Sequence, residues 1–304
     1  MKKLWGSAAM ITATVIWGLA FSAQSSGMNF IEPVFFTALR SVTGVFALVF
    51  LIVLLDFVLF KKVTLWGGAE TPAAKKELLC GGFWCGLVLA GASICQQIGL
   101  KYTTAGKTGF LTALYIIIVP VLGIFLKRRT NPVLWAAVVL GLFGSYLLCG
   151  GISSVGKGEL FVIACAFIYS IHILVIDRYA PVCDCIRLSC IQFAAASILC
   201  FAGSFAVQET VTWQNIVDSA PFWLFCGIGS SAVAFTLQMV AQKYLHPVTA
   251  TLLMSLESVF AVLGGWLFLN ERLSPAELSG CGVIFAAVLI AQIPVRKKHQ
   301  GSSS

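Results

Sequence analysis

About ten stretches of this chain, each roughly twenty residues long, are almost free of charged side chains. They cover residues 4–22, 34–55, 78–99, 108–126, 133–150, 159–176, 186–207, 221–241, 248–269 and 276–293. A helix that crosses a bilayer needs roughly 20 mostly apolar residues, because its backbone polar groups must hydrogen-bond within the helix. Only 11% of the residues are charged, against about 25% in soluble domains. The sequence therefore predicts an all-α integral membrane protein with about ten transmembrane helices.

The segments 102–128 and 244–272 follow one plan. Each opens with a Tyr and a polar entry, runs through an apolar span that polar residues interrupt near its middle, and closes on charge. We therefore divide the chain into repeats at residues 1–150 and 151–300, with 301–304 as a tail or tag remnant. Because each repeat has an odd number of spans, five, the second enters the membrane from the opposite side and the repeats are inverted. In secondary transporters, interrupted spans at matching positions point to a central cavity between the halves.

The Lys and Arg residues fall mainly on one side of this predicted topology. With a cytoplasmic N-terminus, 15 of the 20 lie inside, Arg40 lies within the second span, and four lie outside: Lys101, Lys107, Lys157 and Arg272. Short cytoplasmic loops carry an excess of these residues, so the distribution predicts a plasma-membrane protein with both termini in the cytoplasm. The net charge of +8 is dispersed over the loops and forms no single patch, which argues against a nucleic-acid partner.

Several short motifs occur in order along the whole chain. They are Ile-Trp-Gly at 16–18, Arg40, Leu-Lys-Tyr-Thr at 100–103, Ser-Leu-Glu-Ser-Val-Phe-Ala at 255–261 and Leu-Asn-Glu-Arg-Leu at 269–273. With the topology, they resemble the drug/metabolite transporter superfamily, in particular its ten-helix EamA-type members. The last two motifs depart from the family pattern, with Ser258 where Pro is usual and Asn270 where Gly is usual.

The resemblance implies two inverted five-helix repeats around a central cavity that binds a small metabolite and opens alternately to either side. Members of the family move amino acids, amines, sugars, nucleotides and drugs. Ser258 keeps the backbone donor that Pro lacks, so we expect no kink there. Because the fourth span does contain Pro120, any helix break is expected to be asymmetric between the halves.

Glu257 is the strongest candidate for a functional residue. It lies about ten residues into its span, which places it roughly 15 Å deep, near the midplane. Ionisable groups there are costly and usually face a pathway or a partner, so this carboxyl is a candidate to bind a cationic amine or to take up a proton. The alternative is a structural or gating carboxyl that is capped by a hydroxyl from Ser255, Ser258 or a neighbouring helix; Ser255 is itself a candidate site residue.

Arg40 and His172 are further ionisable side chains that lie inside predicted spans, away from the first residues of those spans. Arg40 has the geometry to grip a carboxylate or phosphate or to neutralise Glu257 or Glu32; alternatively, its long side chain reaches the membrane interface. His172 follows Tyr169 by three residues, so the two project from neighbouring positions of one helix. His172 is either a proton carrier or a wetted residue near the inner interface without a special role.

Neutral polar residues within the spans complete the candidate site. They are Gln96 and Gln97, Thr112 and Tyr115, and Thr236 and Gln238. Such groups either contact a substrate or join helices. Aligning the repeats without gaps from Tyr102 and Tyr244 places Tyr115 opposite Glu257, so this pair is expected to flank the pseudo-twofold axis. Trp17 either lines the cavity with an aromatic face or marks the outer interface.

The function that we predict is secondary transport of a small polar metabolite by alternating access, driven by the solute gradient, a counter-solute or protons. Export of an amino acid or amine is favoured on family analogy; transport of nucleosides, sugars or anionic metabolites is the alternative. An intramembrane enzyme or a channel is disfavoured, because the sequence shows neither a convergent catalytic set nor a filter motif. A monomer or weak homodimer in the lipid bilayer is expected.

No cofactor or metal is expected. The one Cys-x-Cys pair, at Cys183 and Cys185, has no second pair and no nearby His, which falls short of a zinc site.

Overall fold

The computed structural model describes residues 1–127, 132–148, 156–268 and 274–292, which form helices and turns without a β-strand. The helices are α1 (Lys2–Gly27), α2 (Pro33–Phe60), α3 (Pro72–Tyr102), α4 (Ala105–Thr112), α5 (Tyr115–Phe125), α6 (Pro132–Leu148), α7 (Lys157–Tyr179), α8 (Cys185–Ala206), α9 (Trp213–Asp218), α10 (Ala220–Phe225), a π-helical segment (Cys226–Ala234), α11 (Phe235–Gln242), α12 (Pro247–Met254), α13 (Leu256–Phe268) and α14 (Pro275–Gln292). The expected boundary at 150–151, the 269–273 motif and the 301–304 tail lie outside the described residues.

Eight segments of the described chain are long and apolar enough to cross a bilayer, and two shorter apolar helices, Pro132–Leu147 and Leu278–Ala291, accompany them. Three of the eight consist of consecutive helices: α4 with α5, α10 with the π-helical segment and α11, and α12 with α13. Large apolar side chains such as Phe50 and Phe205, 70% and 87% exposed, face outward. Lipid tails satisfy such a surface, and the predicted all-α architecture with about ten spans is confirmed.

Close helix contacts recur in the two halves. A Cβ atom on Gly6 of α1 would lie 3.3 Å from the carbonyl oxygen of Ala241, and one on Gly158 of α7 would lie 3.0 Å from that of Gly99. Gly6 and Gly158 are 152 positions apart, whereas Gly99 and Ala241 are 142 apart. The first helix of each half therefore packs against the third span of the other half, as a pseudo-twofold axis requires.

The fourth span of each half is broken at the same place. The chain leaves the helix at 113–114, between α4 and α5, and at Ser255, between α12 and α13; Ala113 and Ser255 are 142 positions apart. At both breaks a backbone hydrogen bond joins residues three apart, as in a 3₁₀ turn, and not four apart, as in an α-helix. These bonds run from Ile116 N to Ala113 O (2.9 Å) and from Ser258 N to Ser255 O (3.1 Å). The expected asymmetry is therefore wrong. It relied on Pro120, but α5 continues through that residue.

The π-helical segment lies against α2. A Cβ atom on Gly227 would come within 2.5 Å of Thr43 and 2.9 Å of the carbonyl oxygen of Arg40. The absence of a side chain at Gly227 therefore lets the two backbones approach closely. Wider π-helical turns often occur at functional sites, and this one directs Ser230 to the interior.

Arg187 ties the loop between α2 and α3 to the start of α8. Its Nη2 donates to Asp56 Oδ2 (2.6 Å) and to the carbonyl oxygen of Thr64 (2.8 Å), and the side chains of Arg187 and Asp56 are 8% and 4% exposed. Gly67 has a φ of +57° and lies against the guanidinium, where a Cβ would be 2.8 Å away. This buried ion pair fixes the end of the bundle at which α1 begins, here called the N-terminal face.

Candidate substrate-binding site

A polar cavity lies between the two halves, close to the helix breaks. Its lining residues are Trp17, Phe21, Gln24, Arg40, Gln96, Thr112, Tyr115, Tyr169, Ser230, Phe235, Gln238, Met254 and Glu257. The cavity volume, measured as the space open to the centre of a water molecule, is about 30 Å³. Since one water needs about 10–15 Å³ on this measure, the cavity holds about two water molecules in this conformation. A larger solute therefore requires the helices to move apart.

Tyr115 and Glu257 are in contact in the lining of the cavity. The hydroxyl of Tyr115 donates to Glu257 Oε1 at 2.7 Å, and both residues are buried. Tyr115 is the first residue of α5 and Glu257 the second of α13, so each directly follows the break in its span. Their contact agrees with the gapless alignment of the repeats, which placed them opposite one another. A carboxyl group in the first turn of a helix is also stabilised by the positive end of the helix dipole.

Of the hydroxyls considered as caps for Glu257, the one in contact with the carboxyl is that of Tyr115 on a neighbouring helix, and not those of Ser255 and Ser258. Ser255 donates to the carbonyl oxygen of Leu252 at 2.7 Å, and Ser258 donates to that of Gly109 at 3.0 Å. Both hydroxyls are therefore used by the backbone near the breaks. Ser255, a predicted site residue, does not line the cavity.

Two glutamines occupy equivalent positions on opposite walls. Gln96 Nε2 donates to Thr112 Oγ1 at 3.3 Å, and Gln238 Nε2 contacts Met254 Sδ at 3.8 Å. Gln96 and Gln238 are 142 positions apart, as are Thr112 and Met254. Gln238 Oε1 is buried and has no hydrogen-bond partner in the described part of the chain, so this amide offers the cavity a free acceptor.

Trp17 and Tyr169 form a second equivalent pair, 152 positions apart. The ring of Trp17 packs edge-on against Phe235, with centroids 4.9 Å apart, and the hydroxyl of Tyr169 lies 3.3 Å from Ser93 Oγ. Trp17 therefore lines the cavity and does not mark an interface. Its Nε1 donor is buried and unpartnered within the described residues.

Arg40 points inward and is only 3% exposed. Its Nη1 donates to Gln24 Oε1 at 3.2 Å, while Gln24 Nε2 donates to the carbonyl oxygen of Ala20 at 3.1 Å, which holds the amide in place. The interpretation that Arg40 reaches the membrane interface is wrong. Neither Glu257 nor Glu32 neutralises it: no described carboxylate oxygen lies within 4 Å, and Glu32 pairs with Lys101.

His172 lies behind the cavity wall and is fully buried, so the interpretation as a wetted interfacial residue is wrong. Its Nε2 is 3.0 Å from Gln192 Oε1, and its ring packs against Tyr169 and Phe235 with centroids 6.1 and 6.0 Å away. His172 does not line the cavity. It supports two aromatic side chains that do.

Five lining residues were not predicted: Phe21, Gln24, Ser230, Phe235 and Met254. Gln24 lies beyond the predicted end of the first span at residue 22, whereas α1 continues to Gly27. Met254 stands 142 positions after Thr112, so the repeat offset was a signal that would have found it. Ser230 and Phe235 owe their positions to the π-helical segment, which has no clear sequence signature.

An ion pair at one face of the bundle is not formed by the equivalent residues at the other face. At the face opposite the N-terminus, Lys101 at the end of α3 pairs with Glu32 at the start of α2. The equivalent residues at the N-terminal face are Lys243 and Asp184, offset by 142 and 152 positions. There, Asp184 Oδ1 instead accepts from Arg187 N at 2.8 Å, and among the described residues no carboxylate oxygen lies within 4 Å of Lys243 Nζ. The Lys–carboxylate pair of one face is thus absent at the other, where Asp184 pairs with Arg187 instead.

Cys183 lies in the short loop after α7 and Cys185 begins α8, at the N-terminal face, and both thiols are buried. Burial raises the pKa of the Cys183 thiol, which disfavours the thiolate that a metal needs. Within the described ranges, no group of three or more His, Cys, Asp or Glu side chains is placed to hold a metal ion.

The model of the EamA-like transporter family matches residues 4–150 and 156–292. The chain belongs to this family. The resemblance to the drug/metabolite transporter superfamily is thereby confirmed, and the protein is a multi-pass membrane transporter. Each half of the chain matches the family separately, which accounts for the equivalent residue pairs that line the cavity.

Full-length relatives share the transporter description. An uncharacterized transporter of Archaeoglobus fulgidus is 28% identical over 301 residues, covering 97% of this chain and 88% of the relative. The uncharacterized transporter YoaV of Bacillus subtilis is 24% identical, with 92% of each chain covered. The threonine/homoserine exporter RhtA of Escherichia coli is 28% identical over 179 residues, which are 58% of this chain and 60% of that one.

A crystal structure of a protein at 20% identity superposes with a TM-score of 0.73, covering 94% of this chain and 96% of the other. At this identity the similarity shows a shared fold.

Proposed function

We propose that this EamA-family protein is a secondary transporter that exports an amino acid or a related amine across the cytoplasmic membrane by alternating access. The observation that carries the proposal is the buried contact between Tyr115 and Glu257 at the two equivalent helix breaks. It places an ionisable group in a cavity between the halves, where a solute moving through the protein must pass. The partial similarity to the threonine/homoserine exporter RhtA supports both the amino-acid class and the direction.

Alternating access has physical support in the repeated architecture. Equivalent contacts in the two halves mean that each half can adopt the arrangement of the other at similar energy. The Lys101–Glu32 ion pair joins α3 and α2 above Gln96 and Arg40 on those helices. At the N-terminal face the corresponding Lys243 and Asp184 do not pair with each other, and Asp184 pairs with Arg187 at 3.6 Å instead. Exchange of these two arrangements would open the cavity to one side and close it to the other.

The orientation follows from the positive-inside rule and is part of the proposal. The N-terminal face carries Lys2, Lys3, Lys61 and Lys62, so we place it, with both termini, in the cytoplasm. The Lys101–Glu32 pair then lies on the outer face. A proton or a counter-solute completes the transport cycle, and we propose that the protein works as a monomer or weak homodimer.

The test is counterflow in proteoliposomes. Vesicles loaded with unlabelled threonine, homoserine or a simple amine are diluted into the labelled compound, and the transient accumulation of label is measured. We expect accumulation for at least one of these solutes and its loss in Glu257→Gln. The matched control is Glu77→Gln, because the Glu77 side chain is 45% exposed and pairs with Arg178 at the surface.

Two outcomes would contradict the proposal. One is the absence of counterflow for every amino acid and amine in protein that remains monodisperse. The other is unchanged counterflow and unchanged pH dependence in Glu257→Gln, which would make this carboxyl a purely structural group. Export itself is checked in cells supplied with a threonine-containing dipeptide, where the expected result is faster release of threonine to the medium.

A further inference from the structure

We infer that the cavity recognises its solute as a zwitterion, with Arg40 binding a carboxylate and Glu257 binding an ammonium group. The substrate class is then an α-amino acid with an uncharged side chain, and not a simple amine. This inference rests on the proposed transport function and names the substrate class of the same site.

The first observation is that two ionisable groups of opposite charge line one cavity without pairing. Arg40 and Glu257 are 3% and 5% exposed, and both belong to the lining. Among the described residues, the only hydrogen-bond partner of Glu257 is the neutral Tyr115, and that of Arg40 is the neutral Gln24. Burial of unpaired charges is unfavourable, so an arrangement that keeps them apart points to a ligand that satisfies both.

Arg40 keeps a free edge of its guanidinium. Nη1 is engaged by Gln24 at 3.2 Å, whereas the buried Nε has no partner in the described structure. Nε and Nη2 form the edge with which Arg donates two parallel hydrogen bonds to a carboxylate. Because Gln24 is itself held by the carbonyl oxygen of Ala20, it acts as a positioning residue that fixes the plane of the guanidinium.

Glu257 offers the complementary half of the site. Tyr115 donates to Oε1, which orients the carboxyl and leaves Oε2 for a second donor. An ammonium group has three donors and no acceptor, so it matches a carboxylate oxygen together with a neutral acceptor. The buried Oε1 of Gln238, which lines the same cavity and has no partner within the described residues, supplies such an acceptor.

The rest of the lining carries no further charge. Apart from Arg40 and Glu257, its side chains are aromatic, apolar or neutral polar. A third charge on the solute would have no counter-charge in a buried site and would carry a large desolvation penalty. Hydroxyl and amide groups such as those of Ser230 and Gln96 suit a small side chain that is neutral and polar.

The test compares matched solutes on the full-length wild-type protein in proteoliposomes. A panel of uncharged L-amino acids, including threonine and homoserine, is screened by counterflow. The solute that is transported fastest then competes with its amino alcohol, which lacks the carboxylate, and with its 2-hydroxy acid, which lacks the ammonium group. We expect each analogue to compete roughly 10- to 100-fold more weakly, as expected for loss of a hydrogen-bonded charged group.

Variants show which residue binds the carboxylate of the solute and which binds its ammonium group. The variants are compared by ligand-induced thermal stabilisation of the purified protein, which does not require transport. In this binding assay, Arg40→Gln should remove the preference for the amino acid over its amino alcohol, and Glu257→Gln the preference over its hydroxy acid. Arg40→Lys keeps the charge but loses the two-donor edge, so an intermediate loss is expected. The control variants Arg178→Gln and Glu77→Gln make the same chemical changes in a surface pair whose side chains are 59% and 45% exposed, and should keep both preferences.

The results separate this inference from the proposed function. An amine or amino alcohol that competes as well as the amino acid overturns zwitterion recognition but leaves amino-acid or amine transport standing. The same holds if Arg40→Gln folds, as judged by size-exclusion chromatography, and retains the carboxylate preference. Failure of all amino acids and amines in counterflow overturns the proposed function itself.

Discussion

The hydrogen bond between Tyr115 and Glu257 should contribute measurably to the stability of the folded protein. Its length is 2.7 Å, and the two residues are 1% and 5% exposed, so water does not replace the interaction when it is lost. Hydrogen bonds to charged groups contribute about 1.5–3 kcal/mol. Tyr115→Phe removes the donor without changing the ring, so we expect the free energy of unfolding to fall by about that amount.

The assay is a double-mutant cycle in mixed micelles, with reversible unfolding by sodium dodecyl sulfate. Glu257→Leu removes the acceptor at similar volume and leaves the Tyr115 hydroxyl without its partner. In that background, Tyr115→Phe should therefore be neutral or slightly stabilising. Tyr244→Phe serves as the control, because Tyr244 is 42% exposed and its change should have little effect.

The coupling free energy between positions 115 and 257 shows whether their hydrogen bond stabilises the folded protein. Contacting residues typically show coupling of about 0.5–3 kcal/mol. If Tyr115→Phe is equally destabilising with and without Glu257, the hydrogen bond does not stabilise the fold, and the assigned position of the carboxyl is incorrect.

Three further changes test the packing and the faces of the bundle. Gly18→Ala places a Cβ 2.7 Å from a backbone carbon of α13 and should lower the unfolding free energy by about 1–3 kcal/mol. Gly282→Ala is the control and should not lower it, because no neighbouring atom lies within 4 Å of the added Cβ. Asp56→Asn removes the nearer of the two carboxylates that pair with the buried Arg187 guanidinium and leaves only Asp184, at 3.6 Å, so a larger loss of unfolding free energy than for Lys101→Gln is expected in the same assay. Lys101→Gln removes an exposed ion pair that contributes up to about 1 kcal/mol, so alkylation of a cysteine introduced beside the cavity should rise by about two- to fivefold.

For each of these three changes, a different result would contradict the structure. Equal unfolding free energies for the two glycine variants would mean that the close approach of α1 and α13 is not present in the membrane protein. A mild effect of the aspartate change would mean that the loop between α2 and α3 is not held by a buried charge pair. Unchanged alkylation after the lysine change would mean that the ion pair does not restrain the outer face.

Much of the site was accessible from the sequence, because duplication leaves equivalent residues at a constant offset. The 142-residue offset between the repeats relates Tyr115 to Glu257 on sequence grounds alone, and the two side chains are in contact in the fold. The same offset relates Gln96 to Gln238, which occupy opposite walls of the cavity. Eight of the side chains named as candidates line the cavity, and the four that do not are Gln97, His172, Thr236 and Ser255.

The helical class, the approximate spans and the repeat could be predicted from the sequence, since a bilayer requires long apolar helices and a duplication repeats their polar interruptions. The direction in which each side chain points depends on how the helices pack in three dimensions. Arg40 faces the cavity and His172 packs behind it, although both lie in spans that are apolar on every side. Such helices carry no amphipathic pattern that fixes their rotation, and packing against neighbours sets it instead. The breaks at 113–114 and Ser255 likewise arise without Pro at either position, from contacts between halves that are distant in sequence.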